Sequence, residues 1–254
     1  ATWRPGRAFV CNSGAEANEG AIKLARRYMR TVRKEERYEV VTLSGSFHGR
    51  TLATLTATGQ DKVKEYFAPL PEGFVTVPAG DLEAMRAAVT ERTAAVLVEA
   101  VQGEGGVKPF PTEYLAGVQA LCREKGVLFM VDEVQTGMGA TGKMWAIEHM
   151  GVRPDIIAFG KKAQVCGIIA GPRIDEVPDN VFKVSSRINS TWGGNLVDMV
   201  RSQRYLEIIA EENLVDNAGA MGRLLLDGLN ALAQGSDLMS NVRGRGMLLA
   251  FDLP

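Results

Sequence analysis

Val127-Leu128-Phe129-Met130-Val131-Asp132-Glu133 sets five apolar residues in a row and closes them with two acids. An uninterrupted apolar run of this length, without alternation, is the pattern of a strand buried on both faces. Burying a carboxylate is costly unless a cation or several donors answer it. Acids at such a strand end therefore ask for a ligand cation, a metal or a lysine. Lysines follow: Asp155-Ile156-Ile157-Ala158-Phe159-Gly160 is a second apolar run, and it ends at Lys161-Lys162. A lysine at an apolar strand end is suited to act as a Schiff-base nucleophile, though such residues are often plain surface lysines.

Outward from this pair, strand-like runs at Phe9–Cys11, Val40–Leu43, Phe74–Val77 and Ala94–Val101 alternate with helix patterns. After the turn Asn12-Ser13-Gly14, residues Ala17, Ala21, Leu24, Ala25 and Tyr28 share one helical face, while Lys23, Arg26, Arg27 and Arg30 line the other. Helices are predicted near Thr112–Glu124 and Met144–Met150, between the last strands. The pattern predicts an α/β fold, a mostly parallel central sheet with helices on both faces, whose ligands bind beyond the carboxyl ends of the strands. Past residue 193 the texture changes to two long helix patterns, Asn195–Glu212 and Val215–Ala233, and a last strand-like run, Met247–Leu253. The expected organisation is a large domain over 1–193, a connecting helix over 194–213 and the start of a small α+β domain over 214–254. The chain begins at Ala1 without a methionine, so both domains are expected to be parts of something longer.

Composition narrows the function classes. With 254 residues, 46% apolar, the chain can bury a core without disulfide or metal staples. Twenty-nine basic and 30 acidic residues leave a net charge of −1, so no global field favours nucleic acid. No apolar run approaches the ~18 residues of a membrane span. Three scattered cysteines, Cys11, Cys122 and Cys166, point to a reduced, cytoplasmic setting. Two histidines and no C-x-x-C pair leave a metal site without ligands.

Other strand ends carry chemistry too. Ser13-Gly14-Ala15 opens a helix, and free amides there make a ready anion site, although taken alone the turn reads first as a simple cap by Ser13. Ser46-Phe47-His48-Gly49-Arg50 offers an aromatic that could stack on a flat ligand and an arginine that could hold a carboxylate; loop arginines are often merely solvated. Glu99 and Glu104 sit at another strand's C-terminal end with a glycine turn; such a carboxylate pair would suit glycoside hydrolysis, and equally a plain hydrogen-bonded turn. Gly137-Met138-Gly139-Ala140-Thr141-Gly142 matches a dinucleotide fingerprint. Two acids just before it would repel a pyrophosphate, and the ribose-binding acid is misplaced, because Asp155 begins the next strand.

An anion-binding helix start, an aromatic, a strand-end acid and a strand-end lysine together describe a pyridoxal phosphate site. The runs NSGAEANEGAIKLAR, SFHGRTLATL, QGEGGV, VDEVQTGMGATGK, PDIIAFGK and STWGGN resemble the class III (omega) aminotransferases of fold type I, over essentially the whole length. The resemblance implies that Ser13, Gly14 and Ala15 bind the cofactor phosphate, that Phe47 and Val134 cover the two ring faces, and that Asp132 pairs with the ring nitrogen. It implies that Gln135 contacts the ring hydroxyl and that Lys161, rather than Lys162, carries the aldehyde and shuttles the proton. Thr191 would reach the phosphate of a neighbouring subunit, which implies a homodimer with shared sites. Arg50 would hold a substrate α-carboxylate, Asn189 lies in a substrate loop, and Glu104 would be the carboxylate that switches between a diamino acid and 2-oxoglutarate. Residues 1–160 resemble acetylornithine aminotransferases, whereas GKKAQVCGIIAG and DNVFKVSSRINSTWGGN resemble L-lysine 6-transaminases. L-Lysine is the favoured donor and acetylornithine or ornithine the alternative. The chain departs from the family pattern at Ala100, where proline is common, and at Ala140, where arginine is common. A reading of another class is a pyridoxal-binding piece without a complete substrate site.

Overall fold

In a computed structural model that describes residues 6–254, the chain is built on a seven-stranded sheet; the first five residues of the expected 1–193 domain lie outside the described residues. The elements run β1 (Arg7–Cys11), α1 (Gly14–Tyr28), β2 (Glu39–Leu43), α2 (Leu52–Ala57), β3 (Phe74–Val77), α3 (Leu82–Ala88) and β4 (Thr93–Glu99). A short hairpin, β5 (Val101–Gln102) and β6 (Lys108–Pro109), leads to α4 (Thr112–Lys125), β7 (Leu128–Glu133), β8 (Ile156–Phe159) and β9 (Cys166–Ala170). Two long helices follow, α5 (Leu196–Glu211) and α6 (Leu214–Gln234), then the hairpin β10 (Ser240–Arg245) and β11 (Leu248–Asp252).

Strand order is β1-β9-β8-β7-β4-β2-β3. From β3 to β8 every neighbouring pair is parallel, and β9 runs antiparallel to both β8 and β1. The apolar runs of β4, β7 and β8 are buried along their whole length, as their lack of alternation requires. Successive side chains of a strand point to opposite faces, and the acids of β7 divide accordingly. Asp132 faces α1, where the Asn18 amide meets it. Glu133 faces the other layer, where it accepts the Ala146 and Ile147 amides at 3.0 and 2.7 Å and the Thr136 hydroxyl.

That second acid explains one difference from expectation. The segment near Met144–Met150 is a single 3₁₀ turn, Ala146–Met150, rather than an α-helix. Glu133 takes its first free amides and pins it to the sheet. Strands β9 and β10 and the short helices α2 and α3 were not expected. Of segment 243–246, read as the lead-in to the last strand, residues 243–245 belong to β10 itself and pair with β11.

The glycine-rich run 137–142 joins the two parts of the chain. A Cβ on Gly142 would come within 2.8 Å of the Gly219 Cα in α6, and one on Gly222 within 2.3 Å of the Gly246 backbone. The Met247 amide donates to the Ala140 carbonyl at 2.9 Å. These glycines permit backbone to pack on backbone, and no helix begins at them to receive a pyrophosphate.

Burial pushes the Glu133 carboxyl up to about 7 from an ordinary 4.5, against the pull of its three donors. The folded state then holds a proton that the unfolded chain releases, so this group's contribution falls as pH rises from 4.5 to 7. The unfolding free energy of the wild type minus that of Glu133→Gln should drop by about 3 kcal/mol across that window, followed by denaturant titration at stepped pH. A flat difference would contradict the assignment.

Candidate active site

Beyond the carboxyl ends of β4, β7 and β8 opens a cleft of about 290 Å³. Its most constrained group is Asp132, only 5% exposed. Asn18 Nδ2 donates to Asp132 Oδ2 at 2.7 Å, His48 Nδ1 lies 2.9 Å from the same oxygen, and the Val134 amide donates to Oδ1 at 3.0 Å. An ionised carboxylate only accepts, so the hydrogen in the His48 bond sits on Nδ1. Asn18 Nδ2 also donates to the His48 carbonyl at 2.8 Å, and Thr58 Oγ1 accepts the His48 amide at 2.9 Å. The carboxylate is held from α1, from the Phe47 loop and from its own strand. Deep in this cluster the Nε2 of His48 and the Oδ1 of Asn18 are buried without hydrogen-bond partners among the described residues.

One wall is the start of α1. Ser13 is its N-cap and accepts the Glu16 amide at 3.2 Å. Gly14 and Ala15, whose first-turn amides have no intrahelical acceptor, line the cleft. A Cβ on Gly14 would sit 2.7 Å from Val134 Cγ1, so glycine lets the helix start close down on the Val134 side chain. Opposite, Phe47 and Arg50 line the cleft, with the guanidinium 5.8 Å from the ring centroid.

The geometry separates the two lysines. Lys161 follows β8 with φ +45° and faces the cleft, its Nζ 3.5 Å from Gln135 Oε1. Lys162 does not line the cleft; its ammonium donates to the Gln135 carbonyl, and burial, then the Lys161 charge, hold its pKa below the usual lysine range.

Of the residues singled out in the sequence, Gly14, Ala15, Phe47, Arg50, Asp132, Val134, Gln135 and Lys161 share this cleft. Ser13 stands at its edge as the cap. Glu104 is exposed at the head of the glycine turn. Thr191 and Asn189 are exposed outside it, and Asn189 lines a separate hollow of about 110 Å³ behind α1. Asn18 and His48, to which sequence reasoning gave no role, and Glu99, which it read only as one of a carboxylate pair, line the cleft as well. Asn18 could have been found, because it follows Gly14 by one helical turn on a face otherwise built of alanine and leucine.

The donor set suits a flat heteroaromatic group with a protonated ring nitrogen and an anionic tail. Asp132 would meet the nitrogen, Phe47 and Val134 the ring faces, and the first-turn amides of α1 the tail, with one cleft-facing amine at hand.

Comparison with known proteins agrees. The sequence profile of the aminotransferase class-III family matches residues 2–254. The acetylornithine aminotransferase of Gloeobacter violaceus is 45% identical over 241 residues, covering 94% of this chain and 60% of its own length. The L-lysine-epsilon aminotransferase of Amycolatopsis lactamdurans is 42% identical over 273 residues, covering 97% and 61%. The lysine aminotransferase of M. tuberculosis superposes with a TM-score of 0.90 at 39% identity, covering 97% of this chain and 63% of that one. The chain thus spans about 60% of the length of the curated relatives it matches.

Asn18→Ala removes one of the two side-chain donors on Asp132 Oδ2. It should cost ~1–3 kcal/mol of unfolding free energy at neutral pH, read by denaturant titration. A loss within ±0.5 kcal/mol, the ordinary range of a surface substitution, would show that this bond carries no weight.

Proposed function

The chain belongs to the class-III aminotransferases, a pyridoxal phosphate-dependent family, and we propose that its cleft binds pyridoxal 5'-phosphate and serves to move the terminal amino group of L-lysine to 2-oxoglutarate. The observation that carries this reading is the placement of a buried acid and a cleft-facing lysine at the ends of neighbouring strands, β7 and β8, beside the start of α1. The bound cofactor supplies an electron sink, which stabilises the charge left on a substrate carbon that has lost its proton.

The chain's own residues do the rest. Asp132, fixed by three donors, holds the proton of the ring nitrogen and thereby keeps the ring cationic. Gly14 and Ala15, with Ser13 keeping the helix start in place, bind the phosphate through backbone amides. Phe47 and Val134 fix the ring plane and exclude water from its faces, and Gln135 meets the ring hydroxyl. Lys161 Nζ moves the proton at the substrate carbon. Lys162 is occupied by the Gln135 carbonyl and takes no part. Arg50 holds the donor's α-carboxylate as a bidentate partner, which leaves the distal amine to react. Asn189 belongs to the same substrate loops, and Glu104 serves the exchange between uncharged and charged substrate ends.

For the donor, lysine is supported by the likeness of residues 160–171 and 179–195 to lysine transaminases and by the M. tuberculosis neighbour. Acetylornithine or ornithine is the second reading, supported by the 45% identity with the Gloeobacter violaceus enzyme. A homodimer in which Thr191 reaches the neighbour's phosphate is supported by a run of exposed apolar residues next to it: Trp192 is 71% exposed, Leu196 83% and Val197 73%. A cytoplasmic setting fits three free cysteines, and among the described residues no helix is long and apolar enough to cross a membrane.

With added pyridoxal phosphate the protein should turn yellow. Lys161→Ala should lose the absorbance of the lysine-bound cofactor and Lys162→Ala should keep it; the reverse would reassign the lysine. A donor panel of lysine, ornithine, acetylornithine and 4-aminobutyrate with 2-oxoglutarate, followed by glutamate formation, should rank lysine first. Cofactor binding without glutamate from any donor would leave only the binding half of the reading.

A further inference from the structure

Glu99 closes β4 as Asp132 nears the end of β7, and the two are direct register partners in parallel strands. Partners in register lie on one face, and both line the same cleft. Both are buried, at 4% and 5% exposure. Two ionised carboxylates placed side by side away from water repel strongly, so such a pair retains a proton.

The donors decide which member keeps it. Asp132 has the Asn18 amide, the His48 ring and the Val134 amide, at 2.7 to 3.0 Å. Among the described residues Glu99 has only two backbone amides, Phe47 on Oε2 at 3.2 Å and Gly103 on Oε1 at 3.3 Å. The other charged or titratable groups around the cleft are Glu104 on the turn, His48 and Arg50 on the Phe47 loop, and Lys161 after β8. None of these side chains hydrogen-bonds or pairs with Glu99 among the described residues.

We propose that Glu99 is a positioning residue of this cleft, a carboxylic acid kept neutral beside Asp132 that clamps the backbone of the Phe47 loop to that of the Gly103 turn. Burial, followed by the Asp132 charge, raises the Glu99 carboxyl well above the usual carboxylate range, in keeping with the geometry. The clamp joins parts that must keep register with one another. Phe47 covers the ring, and the next residue, His48, holds Asp132. Gly103 lies against the Gln135 side chain, where a Cβ would come within 2.3 Å of Oε1, and the next residue is Glu104. Neutrality leaves Asp132 as the one negative charge facing the ring nitrogen.

The inference rests on reading the cleft as a cofactor site, yet two of its three tests need no cofactor. In the cofactor-free protein at pH 7, the infrared difference between wild type and Glu99→Gln should contain the carbonyl stretch of a protonated carboxylic acid; a carboxylate stretch alone would overturn the proposal. In hydrogen exchange, the Phe47 and Gly103 amides should both exchange ~10-fold faster in Glu99→Ala, the change expected for a bond of ~1.4 kcal/mol. Glutamine has one acceptor in place of two, so Glu99→Gln should keep one of the two amides protected. Unchanged exchange of both amides in Glu99→Ala would overturn the clamp. If the alanine variant does not fold, the infrared band and the single lost protection in the glutamine variant decide. Pyridoxal phosphate, followed by fluorescence quenching, should bind ~10-fold more weakly to Glu99→Ala, with Glu99→Gln in between. A wild type that binds no pyridoxal phosphate would defeat the cofactor reading and leave the infrared and exchange outcomes standing on their own.

Discussion

A carboxylate withdrawn from water at the end of a central strand is the constraint around which this structure is arranged. Among the described residues no lysine or arginine pairs with Asp132; the amide of Asn18, the ring of His48 and the backbone of Val134 meet it instead. Each comes from a different element, so satisfying one side chain fixes α1 against the sheet, the Phe47 loop against α1 and the chain's exit from β7. Donors of this kind answer the lone pairs that a carboxylate loses from water on burial. Anything bound in the cleft therefore meets a negative charge whose position is already determined, the condition under which a charged site acts without reorganising itself.

Alternation along the strand gives the adjacent acid the opposite task. Glu133 points into the other layer, where its oxygens answer the Thr136 hydroxyl and the Ala146 and Ile147 amides. It does for the 3₁₀ turn what Asp132 does for α1. The pair Asp132-Glu133 thus reads as one acid for the ligand and one for the fold, separated only by the two-residue period of a strand. Lys161 and Lys162 divide in the same manner, one facing the cleft and the other tied to the Gln135 carbonyl.

The parts of the fold legible in the sequence are those where a single physical demand dominates. β4, β7 and β8 are buried on both faces, and their composition says so without reference to any partner. β9 is short and carries Gly167 within it; its place depends on antiparallel pairing with both β8 and β1, which no local pattern announces. β10 is Ser-Asn-Val-Arg-Gly-Arg, too polar to read as a strand until β11 lies beside it. The same division runs through the site. Asp132 and Lys161 are conspicuous because a charge ends an apolar run. Asn18 and His48 act on Asp132 across 114 and 84 residues of chain, and their role lies in that contact rather than in any spacing. Ser13, Glu104, Asn189 and Thr191 stand at the edge of the cleft or outside it, and what they do depends on groups that the cleft itself does not supply.

Glu104 combines an exposed side chain with a fastened backbone. The backbone of its turn is fastened on several sides. Gly103 donates to Glu99, Gln102 Nε2 donates to the Ser44 carbonyl at 2.8 Å, and Arg243 Nε reaches from β10 to the Gly106 carbonyl, also at 2.8 Å. Arg243 is itself oriented by Asp252 across the hairpin, at 2.8 Å. The Glu104 side chain, by contrast, has no hydrogen bond or ion pair among the described residues. A carboxylate on a fixed backbone with a free side chain can change direction by rotation about its own bonds, in the nanoseconds typical of exposed rotamers, without moving the turn. If the turn were loose, each change would also carry Gly103 and the Gln135 side chain packed on it, and the ring site would be disturbed whenever the substrate changed. In the proposed reaction, rigid fastening of the turn would let one cleft accommodate two substrate ends while Asp132, Phe47 and Lys161 keep their places.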